Sequence, residues 1–262
     1  MIPSLGTSFE GCYVLTGDDA KFATDCVEIL LSLSVKIVAI VGSTAPTIES
    51  YLKKSEYSSK IRDTLFDSST RPWDKPNVMS VIRANALLGI NGGIEYLLTK
   101  DFLKNGCIIN LHPAPLPVNR GSHHSFWAIM EGEQMGATLH WITEGLDEGP
   151  IIDQISMEIK SSMTAQDVQQ TSNQEAIKLL QNNIIHIMQG EWRMVEQSGR
   201  ITRHSKKEIV SASTISHDLD YSGEYLLRLS RAVCNKKNGF YIKTENEVYK
   251  VVIDSVRLIE EN

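Results

Sequence analysis

The first forty residues read as strand, turn, helix and strand, and nothing else in the chain constrains the fold as strongly. Tyr13 to Thr16 is a short apolar run. Gly17-Asp18-Asp19 is a turn, and Asp19 is placed to cap the segment that follows. From Ala20 to Leu33 the residues Phe22, Cys26, Ile29, Leu30 and Leu33 recur at helical spacing. Val35 to Val41 is nearly all β-branched, as a buried strand requires. Parallel strands need a long crossover, and a helix here supplies it. The pattern predicts an α/β fold, Rossmann-like, with a mostly parallel sheet covered by helices.

The first strand–helix turn departs from a dinucleotide site. It lacks G-x-G-x-x-G and offers one glycine beside two carboxylates, a poor place for a pyrophosphate. Residues 44 to 75 are polar and read as irregular. Asn77 to Ala84 predicts a short helix, and Ala86 to Ile90 is an apolar run ending in Asn91-Gly92-Gly93. Tyr96 to Leu103 predicts a helix closed by Gly106. Ile108 to Leu111 is a strand, Ser125 to Glu131 a helix, and Ala137 to Ile142 and Ile151 to Ile159 are strands. Residues 164 to 190 form a long amphipathic pattern. A composition shift near residue 200 divides the chain into an expected larger domain, 1–200, and a small β-rich C-terminal subdomain, 201–262. The latter holds a helix at Tyr225 to Val233 and strands at Phe240 to Ile242 and Val248 to Ile253.

With 262 residues and 42% hydrophobic content, the chain suits one sizeable domain with a small appendage. Its net charge of -6 argues against a dominant nucleic-acid surface, which carries a basic footprint. No two of Cys12, Cys26, Cys107 and Cys234 are spaced as a CxxC pair. The first three sit in apolar runs and read as buried thiols of a reducing compartment. No His, Cys, Asp or Glu set has convincing metal spacing, so no metal is expected. The N-terminus shows no secretory pattern, and no apolar run approaches the ~20 residues that span a bilayer. The expectation is a cytoplasmic protein with no membrane partner.

The chemistry concentrates between Asn110 and Asp147. Asn110 and His112 end an apolar run, and residues two apart on a strand point to one face. One amide and one imidazole can therefore serve the same small volume. Asp147 follows in a loop that could fold back onto them. The trio suits acyl transfer: a donor for an oxyanion, a base near neutral pH, and a carboxylate to orient the base. Pro113, Pro115 and Pro117 stiffen the next segment, which would let Asn119, Arg120 and Gly121 wall a pocket. Arg120 is a candidate for an anionic group such as a phosphate. His140, alone on a strand, reads more readily as a satisfied, partly buried histidine than as a catalyst.

The run Asn110, His112, Pro113, Leu116, Pro117, Gly121, Gly136, Thr138, Asp147 and Gly149 resembles the formyltransferases that use 10-formyltetrahydrofolate. The resemblance is strong over about residues 85 to 155. It implies that Asn110, His112 and Asp147 are catalytic. It also implies that the folate donor lies between Leu88-Gly89-Ile90-Asn91-Gly92 and Thr143-Glu144-Gly145-Leu146-Asp147. Backbone groups would hold the pterin, with Leu88, Ile90 and Leu146 around it and Thr143 and Glu144 beside it.

The amine acceptor is less constrained. Phe126-Trp127-Ala128-Ile129 after Arg120-Gly121 resembles the sugar N-formyltransferases most closely. An aromatic such as Trp127 can pack on a hexose or a nucleobase. The resemblance implies transfer to the amine of a nucleotide-linked amino sugar bound for surface polysaccharide such as lipopolysaccharide, and a possible homodimer. Acceptors of siderophore or peptide type and methionyl-tRNA stay open, as does a non-catalytic folate- or nucleotide-binding protein.

Overall fold

The computed structural model describes residues 2–83, 86–94, 96–104, 106–234 and 239–256. The strands are β1 (Gly11–Thr16), β2 (Ile37–Gly42), β3 (Leu65–Asp67), β4 (Leu87–Gly92), β5 (Cys107–His112), β6 (Arg120–Gly121), β7 (Met135–Trp141), β8 (Ile151–Met157), β9 (Arg203–His204), β10 (Thr214–Ser216), β11 (Phe240–Lys243) and β12 (Val248–Val251). The helices are α1 (Ala20–Ser32), α2 (Ala45–Leu52), α3 (Pro76–Arg83), α4 (Lys100–Leu103), α5 (His124–Glu131), α6 (Ala165–Met188), α7 (Glu208–Ala212) and α8 (Gly223–Val233). Among the described residues no helix is long and apolar enough to cross a membrane.

Seven strands form one sheet in the order β3-β2-β1-β4-β5-β7-β8. The first five run parallel, and β7 lies antiparallel to β5. This is the predicted α/β arrangement. Asp19 caps α1 as expected, its Oδ1 accepting the Phe22 N–H at 3.0 Å. Order reverses between β1 and β4, the point where such sheets usually receive a ligand. There Gly17 lies against the backbone of Gly93, so close that a Cβ would sit 1.8 Å from the Gly93 carbonyl oxygen. Backbone fills this crevice at its base.

Chain contacts divide the protein into two compact units: residues 1–112, 138–154 and 176–197, and residues 113–137, 155–175 and 198–262. The first unit's core includes Tyr13, Leu15, Val41, Val78, Phe102 and Ile108, all buried. The second has its own, around Phe126, Ile129, Val168, Leu229 and Val233. It also holds a three-stranded sheet, β10-β11-β12, and the pair β6-β9.

Three expectations are corrected. Residues 44–75 contain α2, β3 and a 3-10 turn at Pro72–Asp74. Helix α2 buries only Ala45, Ile48 and Leu52, too few positions to show a period, and begins with a proline in its first turn. The helix expected from Tyr96 starts instead at Lys100, because Thr99 caps it by accepting the Phe102 N–H. Among the thiols, Cys107 is only half-buried and Cys234 is buried. For the helix expected over Asn77 to Ala84, Ala84 lies outside the described residues.

Candidate active site

Strand β5 carries Asn110 and His112 inward from the first unit's sheet. Both are buried, flanked by Ile109 and Leu111, which turn to the other face and pack there. Burying each aliphatic chain stabilises the strand by about 1.5–3 kcal/mol. The two polar side chains are therefore held by a framework that does not depend on them. Antiparallel pairing sets Asn110 opposite His140 and His112 opposite Thr138. Four polar residues thus converge from two adjacent strands. Thr138 is held in turn, its Oγ1 accepting from the Gln154 side chain at 2.8 Å.

The loop from Ile142 to Pro150 returns Asp147 to this cluster. The Asn110 side-chain N–H donates to Asp147 Oδ1 at 3.3 Å. Asp147 Oδ2 faces His112 Nδ1 at 3.7 Å, and Oδ1 lies 3.9 Å from His140 Nε2. The His112 distance is one that a bridging water or a small closure converts to a hydrogen bond. The His112 and His140 rings meet edge to face, 6.3 Å between centroids.

Donor bookkeeping orients the whole set. An ionised carboxylate only accepts, so the nitrogen of the Asn110 amide must face Asp147. The same nitrogen lies 3.0 Å from His140 Nε2. His140 Nδ1 lies 3.0 Å from the Trp141 carbonyl oxygen, which also only accepts. His140 therefore carries its hydrogen on Nδ1 and accepts from Asn110 on Nε2. Both amide hydrogens of Asn110 are engaged, the contact to Asp147 being the longer.

Asp147 adopts a left-handed backbone, φ 51°. Aspartate tolerates this better than most residues, yet at a cost. Gly149 makes the return possible: a Cβ there would sit 1.7 Å from the Trp141 carbonyl oxygen. The loop is further tied by Glu144, ion-paired to Lys100 at 2.6 Å, and by Gln197, which donates to the carbonyls of Asp147 and Gly149.

The other expected residues fall as follows. Leu88, Gly89 and Ile90 belong to β4, with Leu88 and Ile90 fully buried, so the segment is a core strand rather than a surface loop. Asn91 also belongs to β4, and its Oδ1 accepts from the Gly93 and Ile94 N–H groups of the turn that follows. Thr143, Glu144 and Leu146 lie in the Asp147 loop as expected. In the second unit, Asn119 is buried with φ 60°, and its N–H donates to Thr202 Oγ1 at 2.7 Å. Arg120 is buried on β6, paired with Arg203 on β9. Trp127 stacks on His204 with centroids 3.8 Å apart and planes within 8°. Sequence reasoning set His140 aside and did not reach Gln197. The alternation that puts His140 and Thr138 on one face was the available signal for the former. Among the described residues no group of His, Cys, Asp and Glu is placed to hold a metal ion.

The formyl transferase family pattern matches residues 18–184, well over half of the chain. The chain belongs to the formyl transferase family. A methionyl-tRNA formyltransferase of Bacillus mycoides is 34% identical over 96 residues, 36% of this chain and 30% of that protein. The match spans about a third of the length of such curated relatives. A 4-N formyltransferase from Francisella tularensis shares the formyl transferase fold over 95% of this chain and 99% of its own, with TM-score 0.76 and 19% identity. An N-formyltransferase from Helicobacter canadensis, solved with folinic acid and dTDP-3-aminofucose, matches over 90% of this chain and 84% of its own, with TM-score 0.64 and 18% identity.

Proposed function

We propose that this chain transfers the formyl group of 10-formyltetrahydrofolate to the amine of a nucleotide-linked amino sugar. One observation carries the reading. A carboxylate 35 residues downstream of His112 is brought back against both Asn110 and His112 at the buried end of a strand. In this reading the acceptor amine attacks the formyl carbon, and the new C–N bond forms as charge moves to the formyl oxygen. Asn110 donates to that oxygen once its contact to Asp147 yields. Such a donor lowers the barrier by about 3 kcal/mol. His112 takes the proton from the attacking nitrogen, and Asp147 orients its ring. Collapse breaks the bond to the folate nitrogen, which receives a proton.

The sugar acceptor rests on the Phe126-Trp127 sequence resemblance and on what the Helicobacter canadensis protein binds. Asn119, Arg120 and Trp127 are the residues proposed to recognise the acceptor. The domain division at residue 200 belongs to the same proposal. A second reading, formylation of methionyl-tRNA, is favoured by the Bacillus mycoides relative. The test is incubation with 10-formyltetrahydrofolate and a panel of nucleotide-linked amino sugars, with methionyl-tRNA in parallel. A sugar nucleotide heavier by one formyl group upholds the first reading. Formyl-methionyl-tRNA alone replaces it with the second.

A further inference from the structure

The Asp147 loop is irregular, strained at Asp147, and stabilised from a part of the chain far from it in sequence. After α6 the segment 191–197 runs as an extended strap. Trp192 anchors it, buried and packed on Trp141 with ring centroids 5.4 Å apart. Val195 then pairs with Ile151, each N–H donating to the other's carbonyl at 2.8 Å. Two residues later Gln197 reaches the loop. Its single side-chain nitrogen donates one hydrogen to the Asp147 carbonyl at 2.7 Å and one to the Gly149 carbonyl at 2.8 Å. A primary amide is the right group for this: two hydrogens on one atom, facing two acceptors.

The two carbonyls bracket Glu148, so the clamp fixes the peptide planes on either side of the turn that aims Asp147. Asp147 itself has φ 51°, a conformation that persists only when surroundings over-determine it. Inside the turn, Gly149 is pressed against the Trp141 carbonyl and the Trp141 N–H donates to Pro150. On the other side Gln197 holds the Asp147 and Gly149 carbonyls.

We infer that Gln197 is a positioning residue for the Asp147 carboxylate: its side-chain amide sets the loop geometry on which the proposed formyl transfer depends. The inference rests on the reading of Asp147 given above. It assigns no contact between Gln197 and a substrate.

Two variants test it. Gln197→Met keeps the length and removes both donors. Gln197→Glu keeps the shape and sets a carboxylate against two carbonyl oxygens. Misplacing a reacting group by about 1 Å costs on the order of a hundredfold in rate. The expected result is a fall in kcat of roughly ten- to a hundredfold, larger for Gln197→Glu, with the KM of donor and acceptor nearly unchanged. Gln197→Lys, which keeps a donor, recovers part of the rate. Met194→Ala, at an exposed position three residues earlier on the strap, leaves it unchanged. Hydrogen exchange, followed without turnover, reports the amides of Asp147, Glu148, Gly149 and Ile151 opening faster in Gln197→Met while the amides of β5 keep their protection. An unchanged kcat in both variants, or a loss confined to KM, overturns the inference. Absence of any formyl transfer by the native chain would sink the functional reading instead. The exchange experiment then decides the clamp by itself, unaltered exchange at those four amides counting against it and faster exchange for it.

Discussion

Strand β5 and the loop 142–150 deliver the members of one polar cluster by opposite means. Asn110 and His112 sit on a central strand paired on both sides, and the apolar Ile109 and Leu111 that alternate with them are fully or nearly fully buried. Their positions follow from sheet geometry and would survive loss of their own side chains. Asp147 sits on a segment with no regular backbone pairing, at a left-handed φ, and is aimed by a glycine approach and a side-chain clamp. The lesson is a division of labour. The strand supplies precision through burial, at no demand on the polar residues it carries. The loop supplies a residue that must come from far along the chain, and its precision depends on a few contacts that single substitutions remove.

The largest expected effect separates chemistry from framework. His112→Ala should lower kcat by about 10²- to 10⁴-fold, the range for a general acid or base. Because β5 is held by Ile109 and Leu111, the variant should keep its fold and its affinity for the formyl donor. Stopped-flow or steady-state turnover beside a donor titration checks this. If donor affinity falls in step with kcat, His112 is part of the framework and the contrast drawn above is broken.

Next comes the loop. Gly149→Ala places a Cβ 1.7 Å from the Trp141 carbonyl oxygen, where neither side is a flexible side-chain end. The loop must move away. The variant should lose both activity and roughly 2–4 kcal/mol of stability, a size reserved for forced clashes and cavities. By comparison Leu111→Ala, in the strand, should cost about 2–5 kcal/mol through the cavity it leaves. Denaturant titration and turnover together distinguish them. Per unit of lost stability the glycine variant should lose far more rate, and equal ratios would show that strand and loop are equally coupled to the site.

Much of the strand half was legible in the sequence, and less of the loop half. The β-branched run Val35 to Val41 and the helical spacing after Asp19 expose the parallel sheet, since burial on both faces leaves a compositional trace. Asn110 and His112 announce a shared face by their two-residue spacing. The fold-back of Asp147 was expected from the family-like run, and the geometry brings it to Asn110. By contrast His140 enters through strand register, which pairs it with Asn110, and register is a tertiary property. Gln197 leaves no local signal, because an extended glutamine looks the same whether it clamps a loop or faces water. Helix α2 is silent in the sequence because eight residues hold too few apolar positions to declare a period.

The smallest expected effect sharpens the same comparison, by asking which of the loop's ties matter. Lys100 and Glu144 form an ion pair at 2.6 Å, with both side chains more than half exposed. The pair holds the Glu144 carboxyl below its ordinary value, first through the hydrogen bond from Lys100, and raises the Lys100 ammonium through the same bond. A depressed carboxyl contributes above its unfolded pKa and loses that contribution as pH falls through the folded value. A raised ammonium contributes below its unfolded pKa and loses it as pH rises through the folded one. The pair therefore acts across neutral pH and fades at both extremes. Exposed pairs are worth little even there, being solvated and screened by salt. Glu144→Gln and Lys100→Ala should both leave Tm at pH 7 unchanged within error, Lys100→Ala should leave kcat unchanged as well, and added salt should not alter the native turnover. If Lys100→Ala instead matched the loss expected of Gln197→Met, the loop would be held by surface charge, and its stability would track ionic strength as no buried clamp does.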